Sequence, residues 1–341
     1  CRLQSVNQNR KRQRKFGFLQ QLQHMQSRSP LNRCSLQLRK NQWKQPKLDS
    51  QSHGPHAMLI EEHLFQFLRD SLGTDDVYLF SHFPDGIGGE ALLLRMRAQA
   101  ERYGATIRAG RVDVIEGSAD AFTARGEGLS ISARQILIAT GVENRRPEMN
   151  EDTHRDALDR GLLRYCPVCD GFEASDQSIG VIGADTHGVA EALFLRTFSD
   201  RITLLAHQST ELDDSDRESL SHAGIVVASS TLDRLDFSGD QVVVHLIDDT
   251  ELRFDTIYPA LGSDTNNALA RHLDIELSDD RCIVVDTKQR ASMEGVYAAG
   301  DIVMALDQIS VAMGHAAVAA TAMHNDLRNR DGQTTAAKGG H

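Results

Sequence analysis

Cysteine is scarce in this chain: five in 341 residues, at Cys1, Cys34, Cys166, Cys169 and Cys282. That is too few, and too unevenly spaced, for the disulfide framework of a secreted protein, so a reducing, cytoplasmic setting is expected. No apolar run reaches the roughly 18–20 residues that a membrane-spanning helix needs. The basic start leads into glutamine-rich sequence, not into the apolar core of a signal peptide, so no membrane partner is expected. Acid is nearly missing from one end. Residues 1–57 carry 12 Lys/Arg against Asp49 alone, net +11, whereas the remaining 284 residues carry 25 basic against 47 acidic, net −22. The two parts read as separate objects. Length favours about two domains, and 40% apolar residues suffice to core both.

Residues 1–57 hold eleven Gln, no Glu and few periodic apolar positions. They cannot bury enough surface to offset ordering entropy, and a disordered basic tail is expected. Its knot Lys11-Arg12-Gln13-Arg14-Lys15 could touch phosphates or serve as an import signal. The plainer reading is a solvated or non-native extension, with no nucleic-acid partner for the rest of the chain.

From Met58 onward apolar residues recur at helical spacing through Leu64, Phe67 and Leu68, and again through Leu92, Leu93, Leu94 and Met96. Between them the loop 83–89 breaks periodicity with Pro84, Gly86, Gly88 and Gly89. Strand-like pieces are expected at 105–115, 121–124 and 135–141. An α/β rhythm follows: strand 178–183, helix 188–198, strand 201–206, then strands near 224–228, 241–247 and 257–261. Segments 282–286 and 295–301 and a helix over 308–327 close the fold. That helix is expected to bury Ile309, Ala312, Met313, Ala316, Ala317, Ala320 and Met323.

The sharpest chemical signal is Cys166-Pro167-Val168-Cys169-Asp170-Gly171. Two cysteines three apart can close one disulfide ring, and a helix start favours a thiolate. Half a zinc site is the competing reading, but zinc wants about four ligands and no second CxxC or HxxxH stands nearby; an inert buried pair is a third. Asp170 could hand a proton to a departing thiolate, or only cap a helix.

Gly183-Ala184-Asp185-Thr186-His187-Gly188 joins a strand to a helix, where backbone N–H groups would receive a dinucleotide pyrophosphate. It approaches G-x-G-x-x-G, with Asp185 in place of the second glycine. A carboxylate there adds bulk and like-charge repulsion. His187 could touch a phosphate or sit on the surface. Beyond the next strand, Ala206-His207-Gln208 offers neither the acid that selects NADH nor an arginine pair for NADPH. Gly300-Asp301, after a short strand, lets a phosphate and a ribityl chain lie on the backbone while Asp301 accepts hydroxyl hydrogen bonds.

Together these pieces resemble the low-molecular-weight thioredoxin reductases among the FAD/NAD(P)-dependent pyridine nucleotide-disulfide oxidoreductases. The matching residues are 83–89, 136–141, 165–171, 183–188, Leu261-Gly262-Ser263, 295–301 and the helix opening at Gln308, in family order. The resemblance implies two Rossmann-like three-layer domains. An FAD domain (58–145 and 262–330) would be split by an inserted NAD(P)-binding domain (146–261). It further implies FAD contacts from Thr140, Gly141, Asp301 and the backbone of Gln308 and Ile309. Electrons would pass from NADPH or NADH through FAD to the Cys166/Cys169 disulfide. Cys169 would lie nearer the flavin, Cys166 would exchange with a partner, and Asp170 would be the acid. The partner would be thioredoxin or a similar dithiol, and the assembly a homodimer. One departure stands out: no G-x-G-x-x-G exists in residues 1–82, so the FAD domain is incomplete at its start. Two further readings follow, a degenerate homologue without flavin and an oxidase of small-molecule dithiols.

Overall fold

A computed structural model describes residues 58–60, 83, 86–210 and 212–333. The basic tail, the helical pattern through Leu64 and Leu68, and Pro84-Asp85 of the loop lie outside them. In chain order the elements are β1 (Met58–Ile60), α1 (Gly89–Arg102), β2 (Thr106–Arg108), β3 (Val114–Glu116), β4 (Phe122–Gly126), β5 (Leu129–Ala133), β6 (Ile136–Ile138) and β7 (Val142–Asn144). There follow α2 (Glu151–Asp159), α3 (Pro167–Asp170), β8 (Ser178–Ala184), α4 (Thr186–Leu195), β9 (Arg201–Thr210), α5 (Asp214–Ala223), β10 (Val226–Asp236), β11 (Val242–Leu246) and β12 (Glu251–Phe254). The chain continues through β13 (Thr256–Pro259), β14 (Ser263–Thr265), α6 (Ala268–His272), β15 (Val296–Ala298) and α7 (Ile309–Arg330).

One sheet organises the middle of the chain. Its order is β12-β11-β10-β9-β8-β13, with β13, β8, β9 and β10 parallel and β11 and β12 antiparallel. The β-branched and aliphatic runs of β8 and β13 are buried almost throughout, as expected of parallel strands covered on both faces. The units β8-α4-β9 and β9-α5-β10 are crossovers of the Rossmann kind. Asp213 caps α5 by accepting the Asp216 N–H at 2.8 Å, and Gly224 ends it in the left-handed region, φ +68°. The core of this half gathers Leu163, Ile182, Leu205, Val242, Val244, Phe254 and Ile257.

Smaller sheets flank it: the meander β3-β4-β5 and the pairs β1-β2, β6-β15 and β7-β14. Their core is separate, built on Ile115, Phe122, Ile138, Ile283, Val296 and Ile302. The chain leaves this half through β7 and returns through β14, which pair antiparallel. Arg145 bridges the crossing by donating from Nη2 to Asp264 Oδ1 at 2.5 Å.

Two expectations are corrected. The piece expected at 105–115 is two strands in different sheets, interrupted by Gly110. Segment 282–286 contributes single bridges from Ile283 to Leu277 and Val303. In α7 the buried residues are Ala319 and Ala322, while Met313, Ala317 and Ala320 face outward, because an alanine-rich helix carries too little apolar contrast to mark its inner face. Among the described residues no helix is long and apolar enough to cross a membrane.

Candidate functional site

The cysteine pair is delivered by the open edge of the central sheet. Ile257 N–H donates to Leu162 O and Arg164 N–H to Ile257 O, both at 2.9 Å, so residues 162–164 run beside β13. The chain then turns at Cys166 into the short helix α3, started by Pro167, whose missing N–H costs nothing at that position. Cys166 and Cys169 are joined as a disulfide, and the Cys169 N–H is shared between Cys166 O at 2.9 Å and Cys166 Sγ at 3.2 Å. A donor aimed at one sulfur favours the thiolate there once the bond opens. Cys282 is different: its thiol is pushed up by burial and by Asp307 and Asp280.

Asp170 follows the pair and is held from both sides. Its Oδ1 accepts the Tyr258 hydroxyl at 2.7 Å and its Oδ2 accepts Arg164 Nη1 at 3.2 Å. Burial raises its carboxyl above the ordinary carboxylate range, against the lowering pull of Arg164 and Tyr258. Tyr258 is wholly buried on β13, and burial and Asp170 raise its hydroxyl well above its usual value. The result is an acid whose neutral form is favoured by desolvation and whose geometry is fixed by two donors. Neither Arg164 nor Tyr258 stood out in the sequence. Tyr258 had a signal, a hydroxyl inside a continuous buried strand, which needs a partner. Arg164, two residues before Cys166, had only its position.

The nucleotide turn lies between β8 and α4, and α3 packs on α4. Gly183 closes β8 at φ +135°. Gly188 lies so near that strand that a Cβ would stand 1.6 Å from the Gly183 carbonyl oxygen. Asp185 is the N-cap of α4, its Oδ1 accepting the Gly188 N–H at 2.9 Å. His187 leans along the helix, Nε2 to Glu191 Oε1 at 3.1 Å, and this pairing raises its pKa.

The remaining expected residues form a second cluster. The parallel pair β6-β15 ends in two adjacent turns, linked by Ala299 N–H donating to Ile138 O at 3.0 Å. One turn is Thr140-Gly141, where the Thr140 hydroxyl donates to Asn266 O at 2.7 Å. The other is Gly300-Asp301, with Gly300 at φ +81°, a conformation that favours glycine. A Cβ on Gly300 would lie 3.6 Å from the Cβ of Ala312, so the first turn of α7, after Gln308 and Ile309, stands against it. Asp301 is 8% exposed. Burial, and then Asp307, push its carboxyl up to about 7. Asp307, six residues on, is itself raised by burial and was not singled out from the sequence.

The family profile of the pyridine nucleotide-disulphide oxidoreductases matches residues 56–316. A thioredoxin reductase of Streptomyces clavuligerus is 28% identical over 242 residues, 68% of this chain and 74% of that protein. The crystal structure of HlmI superposes with a TM-score of 0.67 at 33% identity, covering 77% of this chain and 82% of the other. A thioredoxin reductase from Streptococcus pyogenes MGAS5005 superposes at 0.69 with 22% identity, covering 77% and 87%, a likeness of fold.

Proposed function

Because the chain belongs to the pyridine nucleotide-disulphide oxidoreductase family, we propose that it exchanges electrons through the Cys166/Cys169 disulfide with thioredoxin or a similar dithiol. The observation that carries this reading is the closed pair with a directed N–H on Cys166 and a tuned acid beside it. In the reducing direction the Cys166 thiolate attacks a partner disulfide. A Cys166–partner S–S bond forms as the partner's own breaks. Cys169 then attacks Cys166, closing the ring and releasing the second partner thiolate. Two protons end on the partner's thiols: one leaves Cys169 as it attacks, and the other comes from Asp170, which takes it up from Cys166 as that thiolate forms and which Arg164 and Tyr258 hold in place.

FAD suits the second cluster. Asp301 is a largely buried carboxyl, pushed up to about 7 chiefly by burial, and its oxygens can accept from the hydroxyls of a ribityl chain. Gly300 and Gly141 leave the backbone bare beside it, and the first N–H groups of α7 have no side-chain cap. Thr140, Gly141, Gly300, Asp301, Gln308 and Ile309 are the residues that would hold it. When bound there, FAD supplies a two-electron carrier for the cysteine pair. A split FAD domain (58–145 and 262–330) around a nucleotide-domain insert (146–261) and a homodimeric assembly belong to the same proposal.

NADPH and NADH fit less well. The turn that would take their pyrophosphate carries the Asp185 carboxylate on one of its N–H groups. That observation favours a second reading, an oxidase of small-molecule dithiols, which needs no pyridine nucleotide.

The test is spectroscopic, on the full chain purified with FAD. Under nitrogen, dithiothreitol or reduced thioredoxin should bleach the flavin band of the wild type but not of Cys169→Ser. A flavin that ignores dithiols in both proteins overturns the reading. A chain that takes up no FAD leaves the degenerate homologue instead. Reoxidation by oxygen with dithiol as sole donor would select the oxidase.

A further inference from the structure

We infer that Asp185 is an internal competitor for dinucleotide binding, occupying with its own charge the helix pole that would receive a pyrophosphate. The inference rests on the reading of 183–188 as a nucleotide turn and asks what that turn can now accept. Helix α4 begins at Thr186, and its first intrahelical bond is Val189 N–H to Asp185 O at 2.9 Å. The N–H groups of Thr186, His187 and Gly188 therefore have no helical acceptor, and they form the positive end of the helix. Asp185 Oδ1 takes the third of them at 2.9 Å. A bound anion at this pole would lose that donor and face a unit negative charge.

The surroundings do not compensate. His187, in the first turn, points along the helix to Glu191 at 3.1 Å, a second carboxylate one turn further on. The strand end that follows, Ala206 to Asp213, contains no Lys or Arg in its sequence. The glycine needed for packing, Gly188, is kept, since a Cβ there would strike the Gly183 carbonyl oxygen. The glycine needed for phosphate approach is the one replaced. The strand-helix joint thus keeps its packing role while its anion role is filled from within. An asparagine at 185 could keep the N-cap hydrogen bond without the charge, which separates the two contributions.

The experiment titrates NADPH into the oxidised full-length protein, followed by nicotinamide fluorescence, for wild type, Asp185→Asn and Asp185→Gly. Thermal melts confirm that each is folded; Asp185→Asn retains the cap should Asp185→Gly prove unstable. Asp185→Asn should bind NADPH about tenfold more tightly than wild type, equivalent to about 1.4 kcal/mol. The gain should shrink at 1 M salt, where exposed charges are screened. Reduced nicotinamide riboside, which has no phosphate, should bind all three proteins alike. Equal NADPH affinity in wild type and both variants, within twofold, overturns the inference. So does a gain that appears equally with the phosphate-free riboside. Repeating the titration in Cys166→Ser keeps this outcome apart from the disulfide chemistry, since nucleotide binding does not need the cysteine pair.

Discussion

Asp170 meets two opposing pressures, desolvation that raises its carboxyl and two donors that lower it. Each donor can be removed separately. Tyr258→Phe deletes the 2.7 Å hydrogen bond and should move Asp170 further up, shifting the alkaline limb of the disulfide-exchange rate to higher pH. It should also cost about 1–2 kcal/mol in urea unfolding, since a buried acceptor loses its partner. Asp170→Asn keeps the size but carries no transferable proton, and should slow exchange about a hundredfold, measured well below a melting temperature that falls because Arg164 loses its counter-charge. An unmoved pH profile in Tyr258→Phe would deny Tyr258 its positioning role. The cysteines and Asp170 were readable because their spacing is itself the chemistry. Arg164 and Tyr258 were not, because their importance arises only when β13, far along the chain, lies beside 162–164.

At the level of elements, the parallel core of the central sheet was visible in the sequence as buried apolar runs separated by turn residues. Strand β8 and helix α4 lie within a few residues of expectation. Helix α5 escaped notice because DSDRESLSHA has one buried residue, Leu220, and so no apolar period. Its caps, Asp213 and Gly224, were the available signals. Strands β7 and β14 escaped because three-residue strands carry no alternation to read. The strand-helix joint gives the clearest test at this scale. Gly188→Ala places a methyl against the Gly183 carbonyl oxygen, a backbone atom that cannot swing aside, so α4 must shift. A loss of about 1–3 kcal/mol is expected from such overpacking, read as a lower urea midpoint. An unchanged midpoint would mean that α4 does not pack on β8 as described.

For the whole molecule, two buried groups pull stability in opposite directions with pH. His154 is 2% exposed, shares a hydrogen bond with the Tyr165 hydroxyl at 3.0 Å, and is lowered to about 4 chiefly by burial. The unfolded chain binds that proton below about 6.5, so this group removes stability as pH falls from about 6.5 to 4. Asp301, raised to about 7, keeps its proton in the folded chain while the unfolded chain has lost it above about 4. It removes stability as pH rises from about 4 to 7. The two slopes oppose each other in the wild type. His154→Gln should therefore show stability falling with rising pH over that range, and Asp301→Asn the reverse, in urea midpoints of flavin-free protein. Parallel profiles in all three proteins would contradict the assignment.

On the proposed function Cys166 is the sulfur that exchanges with a partner and Cys169 the one that closes the ring. This assignment is tested most directly by reacting reduced Cys169→Ser and reduced Cys166→Ser with an aromatic disulfide that releases a coloured thiolate, and mapping the adducts by mass spectrometry. A fast adduct on Cys166 is expected in the first protein and a reaction at least about tenfold slower in the second, as the Cys169 N–H shared with Cys166 Sγ favours the Cys166 thiolate. Equal rates in the two variants, or Cys282 labelled ahead of Cys166, would contradict it.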